Sequence, residues 1–76
     1  MADESGQWSV PVLSSNVAEV GYDAEVSELV ITWKNGRVSA YSGVSEEKAL
    51  QLSKAASVGQ MLNKEIKPIY PHRYLR

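Results

Sequence analysis

Seven residues of this chain are candidates to hold phosphates or stack on bases: Tyr41, Lys64, Lys67, His72, Arg73, Tyr74 and Arg76. All but Tyr41 fall in the closing stretch "KEIKPIYPHRYLR", where cations alternate with aromatic rings. Lysine and arginine neutralise phosphate, and an aromatic face accepts any base, at about 1–3 kcal/mol per stacked base. The same stretch has an ordinary structural use. Ile69 and Tyr70 can pack on a sheet while the arginines stay in water, and Tyr41 can pack across a hairpin beside Val30. Both uses stand open on the residues alone.

Other chemistries find little support. His72 is the single histidine, with no cysteine and no nearby carboxylate to complete a metal site. Ser14 and Ser15 have no base at a recognisable spacing, so no hydrolytic triad is expected. Gly21, Gly36, Gly43 and Gly59 are scattered and form no phosphate loop. Asp3-Glu4 has the look of a solvated terminus and Glu46-Glu47 of a helix start. A non-enzymatic protein without metal or cofactor is expected. The lack of cysteine also excludes a disulfide framework and fits a reducing compartment. The opening "MADESGQW" is acidic rather than basic and then apolar, and no apolar run approaches the ~20 residues of a membrane span. A cytoplasmic protein without membrane contact is expected.

The elements that must carry these residues are few. Seventy-six residues make one domain. The net charge of −1 divides unevenly: residues 1–47 carry eight acidic and two basic side chains, residues 48–76 one acidic and six basic. An acidic end and a basic end follow, although lysine is also simply a good helix former. Residues 1–7 are polar and aperiodic and are expected to be disordered. In "WSVPVLSSN", Pro11 suits a sheet edge or an entry segment. "NVAEVGYD" alternates, with Ala18, Val20 and Tyr22 on one side and Val17, Glu19 and Gly21 on the other. "ELVITWK" is the clearest strand, with Leu29, Ile31 and Trp33 on its core side.

Asn35-Gly36 between two alternating runs predicts a two-residue type I′ hairpin. That reversal pairs Trp33 with Val38, Ile31 with Ala40 and Val30 with Tyr41. It places Val38 and Ala40 on the core face and Tyr41 on the opposite, partly exposed face. "SEEKALQLSKAA" then predicts a helix capped by Ser45, with a stripe of Ala49, Leu52, Ala55 and Ala56. A second helix starts at Ser57, with Val58, Met61, Leu62 and Ile66 at helical spacing, and Pro68 ends it. Gly59 weakens that helix by roughly 1 kcal/mol relative to alanine, and Glu65 falls awkwardly inside its apolar arc. The predicted fold is α+β: a three-stranded antiparallel meander followed by two short helices, with a domain at 8–70 and a basic, aromatic tail at 71–76.

Five landmarks occur in order: Ser14-Ser15-Asn16, Val20-Gly21-Tyr22-Asp23, Asn35-Gly36, Ser42-Gly43-Val44 and Ala56-Ser57-Val58-Gly59. Together they resemble the KTSC domain, named from the C-terminus of some lysyl-tRNA synthetases and also found alone in small bacterial and phage-type proteins. The resemblance runs from about Val12 to Tyr70. Where that family tends to carry tyrosine-x-tyrosine, this chain has Ser39-Ala40-Tyr41 and keeps only the second ring. The resemblance implies a small binding module, with RNA or another single-stranded nucleic acid as the ligand suggested by attachment to a tRNA enzyme. The alternative is a phage-type accessory factor that binds a host or virion protein, or itself, through a sheet edge.

Overall fold

The structure, a computed structural model, describes residues 6–76. Its backbone is one five-stranded antiparallel sheet with a helical layer on one face. The strands are β1 (Gln7–Pro11), β2 (Val17–Asp23), β3 (Glu28–Trp33), β4 (Val38–Ser42) and β5 (His72–Tyr74), adjacent in chain order. Between β4 and β5 lie α1 (Glu46–Ser53) and α2 (Val58–Met61), the latter running on into a π-helical turn at Leu62–Ile66. The α+β class holds, but the expected three-stranded meander misses a strand at each edge. At one edge, Trp8 and Val10 alternate with Ser9 in β1, and Pro11 ends the strand where a missing N–H is harmless. The expected disordered start lies mostly outside the described residues; Gln7 already pairs with Asp23. At the other edge, the segment expected as a tail pairs His72, Arg73 and Tyr74 with Tyr41, Ala40 and Ser39. No helix among the described residues is long and apolar enough to cross a membrane.

The hairpin at Asn35-Gly36 forms, but with a three-residue loop. Trp33 N–H donates to the Arg37 carbonyl at 2.8 Å, and Gly36 N–H donates back to the Trp33 carbonyl at 3.0 Å. Gly36 takes a φ of 93°, whereas Asn35 is not among the positive-φ residues, which excludes a type I′ turn. A β-turn followed by one left-handed glycine adds a residue to the loop, and Asn35 Oδ1 accepts from Arg37 N–H at 3.0 Å to hold it. The register therefore shifts by one: Leu29 faces Tyr41, Ile31 faces Ser39 and Thr32 faces Val38. Because side chains alternate, the shift turns all of β4 over. Tyr41 enters the core beneath the helices, while Val38 and Ala40 pass to the other face, buried there beside Val30.

A second irregularity corrects β2. The register slips between Val17 and Glu19, leaving Ala18 as the extra residue of a bulge. Strict alternation would send Val17 away from Val20; the bulge returns it, and Val17, Val20 and Tyr22 all join the core. Leu29, Ile31, Tyr41, Val44, Ala49, Leu52, Val58, Leu62 and Ile66 complete that cluster.

The helical layer follows its caps. Ser45 Oγ accepts from Lys48 N–H and Ser57 Oγ from Gln60 N–H. The first helix stops at Ser53, so Ala55 and Ala56 lie outside it and only Ala49 and Leu52 are buried. The π turn resolves the position of Glu65. Lys67 N–H reaches back to the Leu62 carbonyl at 2.8 Å, and the wider turn buries Leu62 and Ile66 while Glu65 swings outward. There it meets Lys48 Nζ at 2.6 Å. Replacing Gly36 by alanine forces a Cβ into the left-handed region and should cost about 1–2 kcal/mol. A urea denaturation midpoint that does not fall in Gly36→Ala would contradict the three-residue loop.

Candidate nucleic-acid interface

The sheet has two chemically different faces. The register puts Glu19, Asp23, Glu28 and Arg73 on the face away from the helices. Arg73 Nη2 donates to both carboxylate oxygens of Glu28, at 3.0 and 3.1 Å, and Ser42 Oγ adds a weaker bond to the same carboxylate. This face is net acidic, and its one arginine is engaged. Arg73 is thus separated from the other expected contact residues.

The helix-side face carries the aromatic rings to the β5 edge. Tyr41 is 2% exposed and cannot offer its ring to a base. It instead supports His72, whose ring stacks on it at 5.3 Å with planes 28° apart. His72 meets Tyr74 edge-on at 5.4 Å, and Tyr74 remains 57% exposed. The Arg37 guanidinium sits over the Tyr74 ring at 4.3 Å, within cation–π range. Across the next strand, Trp33 Nε1 donates to Ser39 Oγ at 2.9 Å, and Ser39 is the register partner of Tyr74. The half-buried indole is capped by Lys67, whose Nζ lies 5.2 Å from the ring centroid. His72, Tyr74 and Trp33 thus form one rim, with Arg37 between Tyr74 and Trp33 and Lys67 over the indole.

Of the residues expected to make contact, Lys67, His72 and Tyr74 converge here. Tyr41 lies beneath them. Arg76 is exposed just past β5, its backbone bonded to Val38. Lys64 is exposed on the π turn. Trp33 and Arg37 were not among the expected contacts. Their place follows from the three-residue loop, which sets Arg37 opposite Trp33 and faces Ser39 toward the indole. A longer-loop reading of Asn-Gly was the one signal that could have found them.

Elsewhere, the side chains and backbone at the landmark positions fix the frame. Tyr22 donates its hydroxyl to the Val44 carbonyl at 2.6 Å, and the Ser27 carbonyl, from a residue at φ 55°, accepts from both Gly43 and Val44 N–H. Ser14 Oγ accepts from Asn16 and Val17 N–H, and the Asn16 carbonyl accepts from Lys34 N–H at 2.8 Å. Trp8 Nε1 reaches Glu46 at 3.0 Å and ties β1 to the start of α1.

A five-stranded meander with helices inserted before its last strand, clamped at a Gly-Val corner, defines a small α+β domain. The KTSC domain profile matches residues 13–70, and the chain belongs to that family. It is similar to the crystal structure of a KTSC domain protein from Yersinia pestis, at 28% identity and a TM-score of 0.82, over 92% of this chain and 99% of that one. A search among curated proteins finds no match.

Burial, and secondarily the Tyr74 phenol, raise the Tyr41 hydroxyl above its ordinary pKa of 10.0. The folded state therefore holds this proton more tightly than the unfolded chain. The stability it contributes is intact below about pH 10 and drains away as pH rises from there through the folded-state value. Phenolate absorbance should show a late-titrating tyrosine that disappears in Tyr41→Phe. A titration of all four tyrosines in one ordinary step would refute the buried placement.

Proposed function

We propose that this domain is a non-enzymatic module that binds single-stranded nucleic acid, RNA in the first instance, along the rim of His72, Tyr74 and Trp33. The observation that carries the reading is the alternation of accessible rings with cations on one face only. Arg37 and Lys67 lie against the rings themselves, while the acidic side chains of the strands, Glu19, Asp23 and Glu28, occupy the opposite face. Bases stacking on such a rim need no sequence-specific hydrogen bonds. The phosphates would run past Arg37 and Lys67, with Arg76 and Lys34 near the two ends.

Three to four phosphate contacts on a single strand give a slope of about −2 to −3 in log K against log salt, at about 0.7 per contact. Binding of a short mixed RNA, followed by fluorescence anisotropy, should show that slope. Arg37→Ala should flatten it by about 0.7. Tyr74→Ala should weaken binding by about 1–3 kcal/mol and leave the slope unchanged. No detectable binding of RNA or single-stranded DNA at low salt would remove the proposal.

A further inference from the structure

We infer that the cleft running along both sides of Trp33 seats one nucleotide of the bound strand, its base against the indole and its phosphate between Lys34 and Lys67. This rests on the nucleic-acid reading and assigns it a specific pocket. Two hollows share Trp33 and Asn16 as walls. The larger, about 470 Å³, opens between the Ser15-Asn16 turn and the Lys34-Asn35 hairpin tip. The smaller, about 80 Å³, lies against Gly59, Asn63 and Lys67 of the helical layer. Together they leave an open groove of mixed polar and apolar lining beside a half-buried aromatic ring, with Lys34 on one side and Lys67 on the other.

The donors and acceptors suit a nucleobase. The Asn16 and Asn63 carboxamides make no hydrogen bond to any described residue, and Asn35 uses only its oxygen, toward Arg37. A carboxamide both donates and accepts, as the edge of a base does. The indole is held from outside the groove by Ser39, so it is a fixed platform rather than a mobile flap.

Gly59 supplies an independent observation. It is a helical residue with an ordinary φ, and a Cβ built on it would meet nothing within 4 Å. Neither backbone conformation nor packing calls for glycine there, although glycine weakens a helix. Contrast Gly21, where a Cβ would come within 3.0 Å of the Trp8 carbonyl, or Gly36 with its positive φ. Gly59 also lines the smaller hollow beside Trp33. A bare backbone at that wall lets a ligand approach closely.

Gly59→Ala separates fold from ligand. The structure leaves room for the methyl group, so the thermal midpoint should stay level or rise. Affinity for the short RNA should fall by about tenfold or more, comparable to losing one stacked base. In the wild type, adding a nucleoside monophosphate should shift the Trp33 indole N–H and Gly59 amide resonances and leave the Trp8 indole in place. Wild-type affinity in Gly59→Ala, or a monophosphate that moves neither signal, would overturn the cleft assignment and leave the rim as the binding surface. A lowered thermal midpoint would show that the fold itself needs the glycine and would equally overturn it. Absence of any RNA binding by the wild type would remove this inference together with the reading on which it rests.

Discussion

Gly36 decides which face of β4 turns toward the helices, and with it the side on which Tyr41 lies. By turning left-handed after the β-turn at Trp33–Gly36, it adds one residue to the loop and sets the β3–β4 register. A one-residue change there exchanges the two faces of β4. With the register as it stands, Tyr41 goes under the helices, Ser39 comes within reach of the indole, and β5 docks so that His72 covers Tyr41. The alternative register would put Val38 and Ala40 beneath the helical layer. Two small side chains would replace a tyrosine there, and a core this size has no spare apolar area with which to fill the gap.

The helical layer then decides which part of that face stays accessible. Its position is set by the corner at Val44, where the Tyr22 hydroxyl and the Ser27 carbonyl fasten the chain leaving β4. The helices cover the middle of the sheet and leave β5 at the margin. The π turn adjusts the far end. One wider turn aligns Leu62 with Ile66 inward, sends Glu65 to Lys48, and brings Lys67 over Trp33. Local irregularities of backbone, a left-handed glycine and a π turn, therefore bring both cations, Arg37 and Lys67, to the rim.

Much of this is legible in the residues, and what is not has identifiable causes. The β2 to β4 strands, the position of the hairpin and the two serine caps are written in alternation, in Asn-Gly, in Ser45-Glu46-Glu47 and in Ser57 before the second apolar run. Loop length is not, because Asn-Gly serves two- and three-residue reversals alike, and that ambiguity reversed the expected side of Tyr41. The bulge at Ala18 hid Val17 from an alternation count. The outer strands were missed because β1 ends in a proline and β5 has only three residues, two of them basic-capable. Of the site, Lys67, His72 and Tyr74 were visible in composition. Arg37 and Trp33 depended on register, and Arg73 on strand parity and on Glu28, a partner 45 residues away.

A chain of net charge −1 can still present a surface for a polyanion, because the charges that matter are local. The domain is 23 to 31 Å across, and ions screen exposed charges over about 8 Å at physiological strength. A phosphate beside Arg37 or Lys67 would be a few ångströms from those cations. It would be separated by the thickness of the sheet from Glu19 and Asp23, while Glu28 is already neutralised by Arg73. On the proposed reading the acidic strand face would repel the nucleic acid weakly at the rim and strongly from its own side, so a nearly neutral molecule would still favour a polyanion on one face of its sheet. On the same reading Arg73 would assist binding without touching the ligand, because its pairing with Glu28 cancels a carboxylate at the β5 edge.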